Sequence, residues 1–142
     1  MSFETDVAHI ELLETGIIKI SFKSHSDVDF EALVEIMKIA DELTQFKGLC
    51  AFVVPGEFTN FSKDIRDKIN SSDLCQNKIA VAVIHKNLAI KLLVDFFWKM
   101  RYKTTPQRLF RNDKNAITWL RMQYELHQRQ ERILLKNRSK SA

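Results

Sequence analysis

The sequence predicts an α/β domain with elements in the order β-β-α-β-α-β-α-β-α and a mostly parallel five-stranded sheet carrying packed helices. Three observations predict it. Two period-two runs flank a glycine near the start of the chain, two continuous apolar runs follow, and stretches of helical spacing separate the runs. Strands that alternate with helices need right-handed crossovers, so strands two to five are expected to be mainly parallel, with the first strand antiparallel at a hairpin.

Residues 7–13 (VAHIELL) alternate, with Ala8, Ile10 and Leu12 on one face and His9 and Glu11 on the other. After Thr15-Gly16, Ile18, Ile20 and Phe22 alternate with Lys19, Ser21 and Lys23. Two such runs around a short glycine turn read as a hairpin of half-buried strands. Phe30, Leu33, Val34, Ile36, Met37, Ala40 and Leu43 then fall on one broad helical face. Asp27 or Asp29 suits its N-cap, Glu31 suits the positive end of the helix dipole, and Gly48 stands where a glycine turn would close it.

Residues 49–54 (LCAFVV) form an unbroken apolar run stopped by Pro55-Gly56, the pattern of a strand covered on both faces. A second helix is expected from near Ser62, with Phe61, Ile65 and Ile69 four apart, and residues 78–84 (KIAVAVI) read as another buried strand. Asn87 suits the cap of a third helix reaching Tyr102, and residues 108–110 a short last strand. A fourth helix opening at Asn112 or Asp113 turns Ala116, Ile117, Trp119, Leu120 and Tyr124 inward. The domain is placed at residues 1–124. Residues 125–142 are a basic C-terminal extension, either a continuation of the last helix or disordered.

With 142 residues the chain is long enough to bury a core without staples. A hydrophobic fraction of 45% and a charged fraction of 28% are those of a folded globular protein. The two cysteines, Cys50 and Cys75, make no CxxC pair and read as reduced thiols. Residues 1–6 include Glu4 and Asp6 and show no basic-then-apolar leader, so a cytoplasmic location is expected. The most apolar stretch, 88–102, is too short for a membrane span and contains Lys91, Asp95 and Lys99.

Residues 1–98 hold 10 Lys/Arg against 15 Asp/Glu, whereas residues 99–142 hold 12 against 3. Such asymmetry fits a basic contact surface or a solvated helix face and tail. Nucleic-acid binding is not expected, because it calls for exposed aromatics interleaved with the basic residues, and Trp119 belongs to the core.

The order of elements resembles the SpoIIAA-like fold of STAS domains, the bacterial anti-sigma-factor antagonists and their relatives. The chain looks most like an uncharacterised bacterial STAS/SEC14-like family. Residues 17–22 (IIKISF), 61–68 (FSKDIRDK) and 96–120 (FFWKMRYKTTPQRLFRNDKNAITWL) carry the likeness, over about residues 7–124. The resemblance implies a non-enzymatic regulatory or protein-interaction module without a cofactor. It also puts Ser62 where STAS regulators carry a phosphorylated Ser or Thr. In those regulators the preceding strand ends in Asp and a small-Gly-Leu run follows. Here the strand ends in Val-Val-Pro-Gly, and Lys63-Asp64-Ile65 follows. As a residue type, Ser62 is first of all a helix cap.

Ligands of parallel α/β sheets bind beyond the carboxyl ends of the strands. That rim collects His25, Glu57, Asn60, Ser62 and His85, and a weaker enzymatic reading makes His85 a base, Ser62 a nucleophile and Glu57 an orienter. No GxSxG, Walker, dinucleotide or HExxH pattern accompanies them, and the four histidines are scattered singly, so no catalytic and no metal site is expected. The third helix is the least ordinary segment, because its apolar arc exceeds what one sheet face needs. Leu93, Phe96, Phe97 and Met100 are therefore candidates for core, for a homodimer or other protein interface, or for an apolar, lipid-like ligand groove. If the last helix continues through the extension, Leu126 and Ile133 share a stripe for a second subunit.

Overall fold

The structure, a computed structural model, describes residues 1–63, 65, 68, 78–85 and 105–140. Eight strands are present among them: β1 (Ser2–Glu4), β2 (Ala8–Glu14), β3 (Ile17–Phe22), β4 (Asp27–Val28), β5 (Leu49–Val54), β6 (Asn60–Phe61), β7 (Lys78–Ile84) and β8 (Gln107–Phe110). The two helices with described bounds are α1 (Phe30–Leu43) and α2 (Asp113–Lys140). The main sheet has the order β1-β2-β3-β5-β7-β8. Its first two pairings are antiparallel, and β3, β5, β7 and β8 run parallel.

The sheet has six strands rather than the five expected. The extra strand is β1, which pairs Ser2 with Glu11 and Glu4 with His9 on the outer edge of the hairpin. Thr5 folds it back: the Thr5 hydroxyl oxygen accepts from Ala8 N–H at 3.1 Å, and Thr5 N–H donates to the Ala8 carbonyl at 2.8 Å. A second correction is a small parallel sheet of β4 and β6, pairing Asp27 with Asn60 and Val28 with Phe61. Two- and three-residue strands are too short to display a hydrophobic period, so only their partners reveal them.

Two apolar layers sandwich the sheet. On one side Ile10, Ile18, Ile20 and Ala51 pack with Ile36, Met37 and Ala40 of α1. On the other, Ile17, Cys50, Phe52, Ala80, Ala82 and Ile84 pack with Ala116 and Leu120 of α2. Adjacent residues of β5 thus enter opposite cores, which is why that strand reads as an unbroken apolar run. Along α1, Val34 of the expected apolar face is exposed and Phe30 only half-buried.

Asp29, not Asp27, caps α1, its carboxylate accepting from Ala32 N–H at 2.8 Å, while Asp27 belongs to β4. The helix closes at Thr44, whose hydroxyl donates to the Ala40 carbonyl at 2.9 Å. The closing turn is made by Gln45 and Phe46, left-handed at φ 55° and 58°, and Gly48 (φ 93°) comes two residues later, against β5. The expected glycine turn is therefore displaced, because Thr44 fixes the helix end with its side chain.

Ile65 is helical and fully buried, and its N–H donates to the Ser62 carbonyl at 3.4 Å. Lys68 is also helical; the other residues expected in the second helix after Lys63, and the whole third helix from Asn87 to Tyr102, lie outside the described residues, as does Cys75. At the last helix Asn112 is the cap, its side-chain oxygen accepting from Asn115 N–H at 2.9 Å, and Asp113 opens the first turn.

Candidate functional site

Three places carry polar or exposed apolar groups in unusual density: the loops at the carboxyl ends of the parallel strands, a groove at their amino ends, and the outer face of α2. At the carboxyl ends, the loops after β3 and β5 are stitched together by main-chain bonds. His25 N–H donates to the Glu57 carbonyl at 2.9 Å, Asn60 N–H to the Ser26 carbonyl at 2.8 Å, and Ser62 N–H to the Val28 carbonyl at 2.8 Å. The Asn60 amide reaches Asp27 Oδ1 at 3.2 Å, and the Thr59 hydroxyl donates to the Lys23 carbonyl at 3.1 Å. His25 and Phe58 are both left-handed, at φ 59° and 56°, and their rings stack with centroids 5.1 Å apart. Gly56 makes this closeness feasible: a Cβ there would stand 2.7 and 2.8 Å from the Lys23 carbonyl carbon and oxygen, and closer still to the Phe22 oxygen.

Of the residues expected on this rim, His25, Glu57, Asn60 and Ser62 thus come together on one pair of loops. The described bond of His85 leads elsewhere: its N–H donates to the Phe110 carbonyl at 3.0 Å, on β8. His25, Glu57 and Asn60 are exposed, and Ser62 and His85 half-buried. Leu93, Phe96, Phe97 and Met100 lie outside the described residues. Among the described residues no group of three or more His, Cys, Asp or Glu is placed to hold a metal.

At the opposite end a groove of about 240 Å³ lies between the hairpin turn, the end of α1 and Tyr124. Its lining includes Leu12, Gly16, Leu43, Thr44, Gln45 and Lys47, and it contains neither a carboxylate nor an imidazole. Its wall is closely fitted. Gly16 has φ 79°, and the Tyr124 ring lies where a Cβ would project, which would be 2.6 and 2.7 Å from Cδ2 and Cζ. Beside it Arg121 grips Glu14 with two hydrogen bonds, Nε to Oε1 at 2.7 Å and Nη2 to Oε2 at 2.8 Å. That hydrogen-bonded guanidinium holds the Glu14 carboxyl below its usual range.

The third place follows from the length of α2. Its 28 residues rise about 42 Å at 1.5 Å per residue, whereas the 7 residues of β7 span only about 23 Å. Ala116 and Leu120 are fully buried, Tyr124 sits on Gly16, and residues 129–139 are all exposed. The helix therefore leaves the body after Gln128, the last half-buried residue. Met122, Leu126, Ile133, Leu134 and Leu135 are between 44% and 61% exposed. At 100° per residue, Met122, Leu126 and Ile133 fall within about 40° of one another, and about 145° from the core-facing side. Leu126 and Ile133 share the stripe expected of a continued helix. Met122 completes it, and its signal was the four-residue step to Leu126. Among the described residues no helix is long and apolar enough to cross a membrane.

The fold is thus an α/β domain with a mostly parallel mixed sheet and a last helix that outruns that sheet and carries exposed apolar residues. The chain belongs to the family described as Domain of unknown function (DUF7793), whose model matches residues 11–124. None of the curated proteins and none of the solved structures matches it.

Proposed function

We propose that this chain is a non-enzymatic protein-interaction module on a SpoIIAA-like framework, and that it docks its partner along the outer face of α2. The observation that carries the proposal is the apolar seam of Met122, Leu126 and Ile133 along the solvent-facing side of α2. Complete burial of one Leu or Ile is worth about 1.5–3 kcal/mol, and the seam residues keep roughly half of their surface exposed, so a partner gains about half of that at each. Side-chain pairs along the protruding part add little: Glu125–Arg129, an i,i+4 pair at 3.7 Å, is worth about 0.3–0.5 kcal/mol. A lone helix of this length is marginal in water, and a partner laid along it supplies the missing contacts. The hairpin followed by three parallel strands in chain order supports the SpoIIAA-like framework. The polar loops at the other end serve the module by fixing α1 and β5, which needs no chemistry from Ser62 or His85.

A photo-crosslinking residue at position 133 tests this in cells that express the full chain. A discrete covalent adduct is expected there, and none with the same probe at the exposed Glu35 of α1. Equal labelling at the two positions, or none at 133, would refute docking along α2.

A further inference from the structure

We infer that the partner of the α2 seam is the same seam on a second copy of this chain, laid antiparallel across a two-fold axis between His127 and Gln128. The inference rests on the docking reading above and is carried by the arrangement of charge along the helix. The seam steps by four, three and four residues through Met122, Leu126, Arg129 and Ile133, the 3.5-residue spacing of a two-helix pair. Reversing one helix against the other sets Met122 opposite Ile133 of the second copy and Leu126 opposite Arg129, each layer occurring twice. Arg129 suits such a layer because its hydrocarbon stem packs on Leu126 while its guanidinium stays near Glu125 of its own helix, 3.7 Å away.

The flanks decide between orientations. Glu125 and Arg132 lie on the same side of the seam, about 20° apart on the helix. In the antiparallel pair Glu125 therefore meets Arg132 of the second copy, and Arg132 meets Glu125, giving two symmetric ion pairs. The other flank brings Gln123 against Gln130, without charge. A parallel pair in register would instead place Arg129 against Arg129 and Lys136 against Lys136 in the seam, where like charges repel. The seam lies on the side of α2 remote from Ala116 and Leu120, and Asn115, Thr118 and Met122 continue it as exposed residues over the part of the helix packed on the sheet. Ile133 is the only one of the three consecutive apolar residues at 133–135 that this seam uses.

Sedimentation equilibrium of the purified full chain, up to about 0.5 mM to reach weak dissociation constants, tests the pairing. A concentration-dependent dimer is expected, and Leu126→Glu should abolish it while circular dichroism shows a retained fold. Glu125→Arg and Arg132→Glu should each weaken it about tenfold, and the double exchange E125R/R132E should restore it to within about twofold. A heterologous partner has fixed charges, so this exchange would not restore its binding. A monomer at the highest concentration, a dimer indifferent to Leu126→Glu, or an exchange that fails to restore would each overturn the antiparallel self-pairing. If the chain is monomeric yet a crosslinker at position 133 still captures a different protein, self-pairing falls and docking along α2 stands. If the chain is monomeric and that crosslinker captures nothing, both fall.

Discussion

Replacing Gly16 with alanine changes two things at the hairpin turn. The residue has φ 79°, a conformation that costs an alanine about 1–2 kcal/mol. Part of this is offset, by about 0.4–1 kcal/mol, because alanine also restricts the unfolded chain. The added methyl would then stand 2.6 Å from Tyr124 Cδ2 and 2.7 Å from Cζ, well inside van der Waals contact. Overpacking of this kind costs about 1–3 kcal/mol, so Gly16→Ala should lose about 2–4 kcal/mol in total, a large part of a domain's usual stability. Urea unfolding followed by far-UV circular dichroism measures it, and repeating the change in a Tyr124→Ala background separates the two causes. There the ring is gone, and only the backbone part, about 1 kcal/mol, should remain. A loss below about 0.5 kcal/mol in the wild-type background, or an equal loss in both, would refute the close fit of Tyr124 on the turn.

Two further outcomes follow from other parts of the fold. Asp29→Ala should cost about 1 kcal/mol in thermal unfolding by orphaning the Ala32 N–H, and Asp29→Ser should retain most of it. An unchanged Tm for the alanine variant would show that the cap carries no stability. The Cys50 thiol, fully buried with Sγ 3.7 Å from the Leu120 carbonyl, is pushed up to about 12 by burial. It should resist iodoacetamide at neutral pH in the native protein and react in urea, as read by peptide mass mapping. Because its folded pKa is raised above the ordinary 9.0, its contribution to stability is complete below pH 9 and is lost as pH rises towards 12. Rapid native alkylation at Cys50 would contradict the packing.

The larger elements were legible because each has a period that burial imposes. Residues 8–14 and 17–22 alternate since one sheet face meets α1, whereas residues 49–54 do not alternate since both faces of that strand are covered. What escaped was short or fixed by a partner. Ser2–Glu4 is a strand only because β2 offers an edge, and Asn60 pairs with Asp27 across a long stretch of chain. The choice between Asp27 and Asp29 as cap likewise turned on β4, which no local pattern displays. At the carboxyl ends of the parallel strands, His25, Glu57, Asn60 and Ser62 stand on one pair of loops, where the rule for such sheets collects them. It said nothing of the left-handed stack of His25 on Phe58, nor that the His85 N–H is spent on β8. The seam on α2 was half legible: Leu126 and Ile133 share a stripe, but a domain boundary drawn at residue 124 separates both from Met122.

Gln128 is the point at which α2 stops being part of the body and becomes a lever. Residues 129–140 extend about 18 Å beyond it, and a helix moves as a rod over such a length. A tilt of about 10° at that fulcrum therefore carries the far end about 3 Å, roughly half a helical turn. Tyr124 on Gly16 and the Arg121–Glu14 clamp, one and two turns before the fulcrum, act as stays against that swing. The aim of the protruding helix is thereby set at the hairpin turn, far from the residues that it presents.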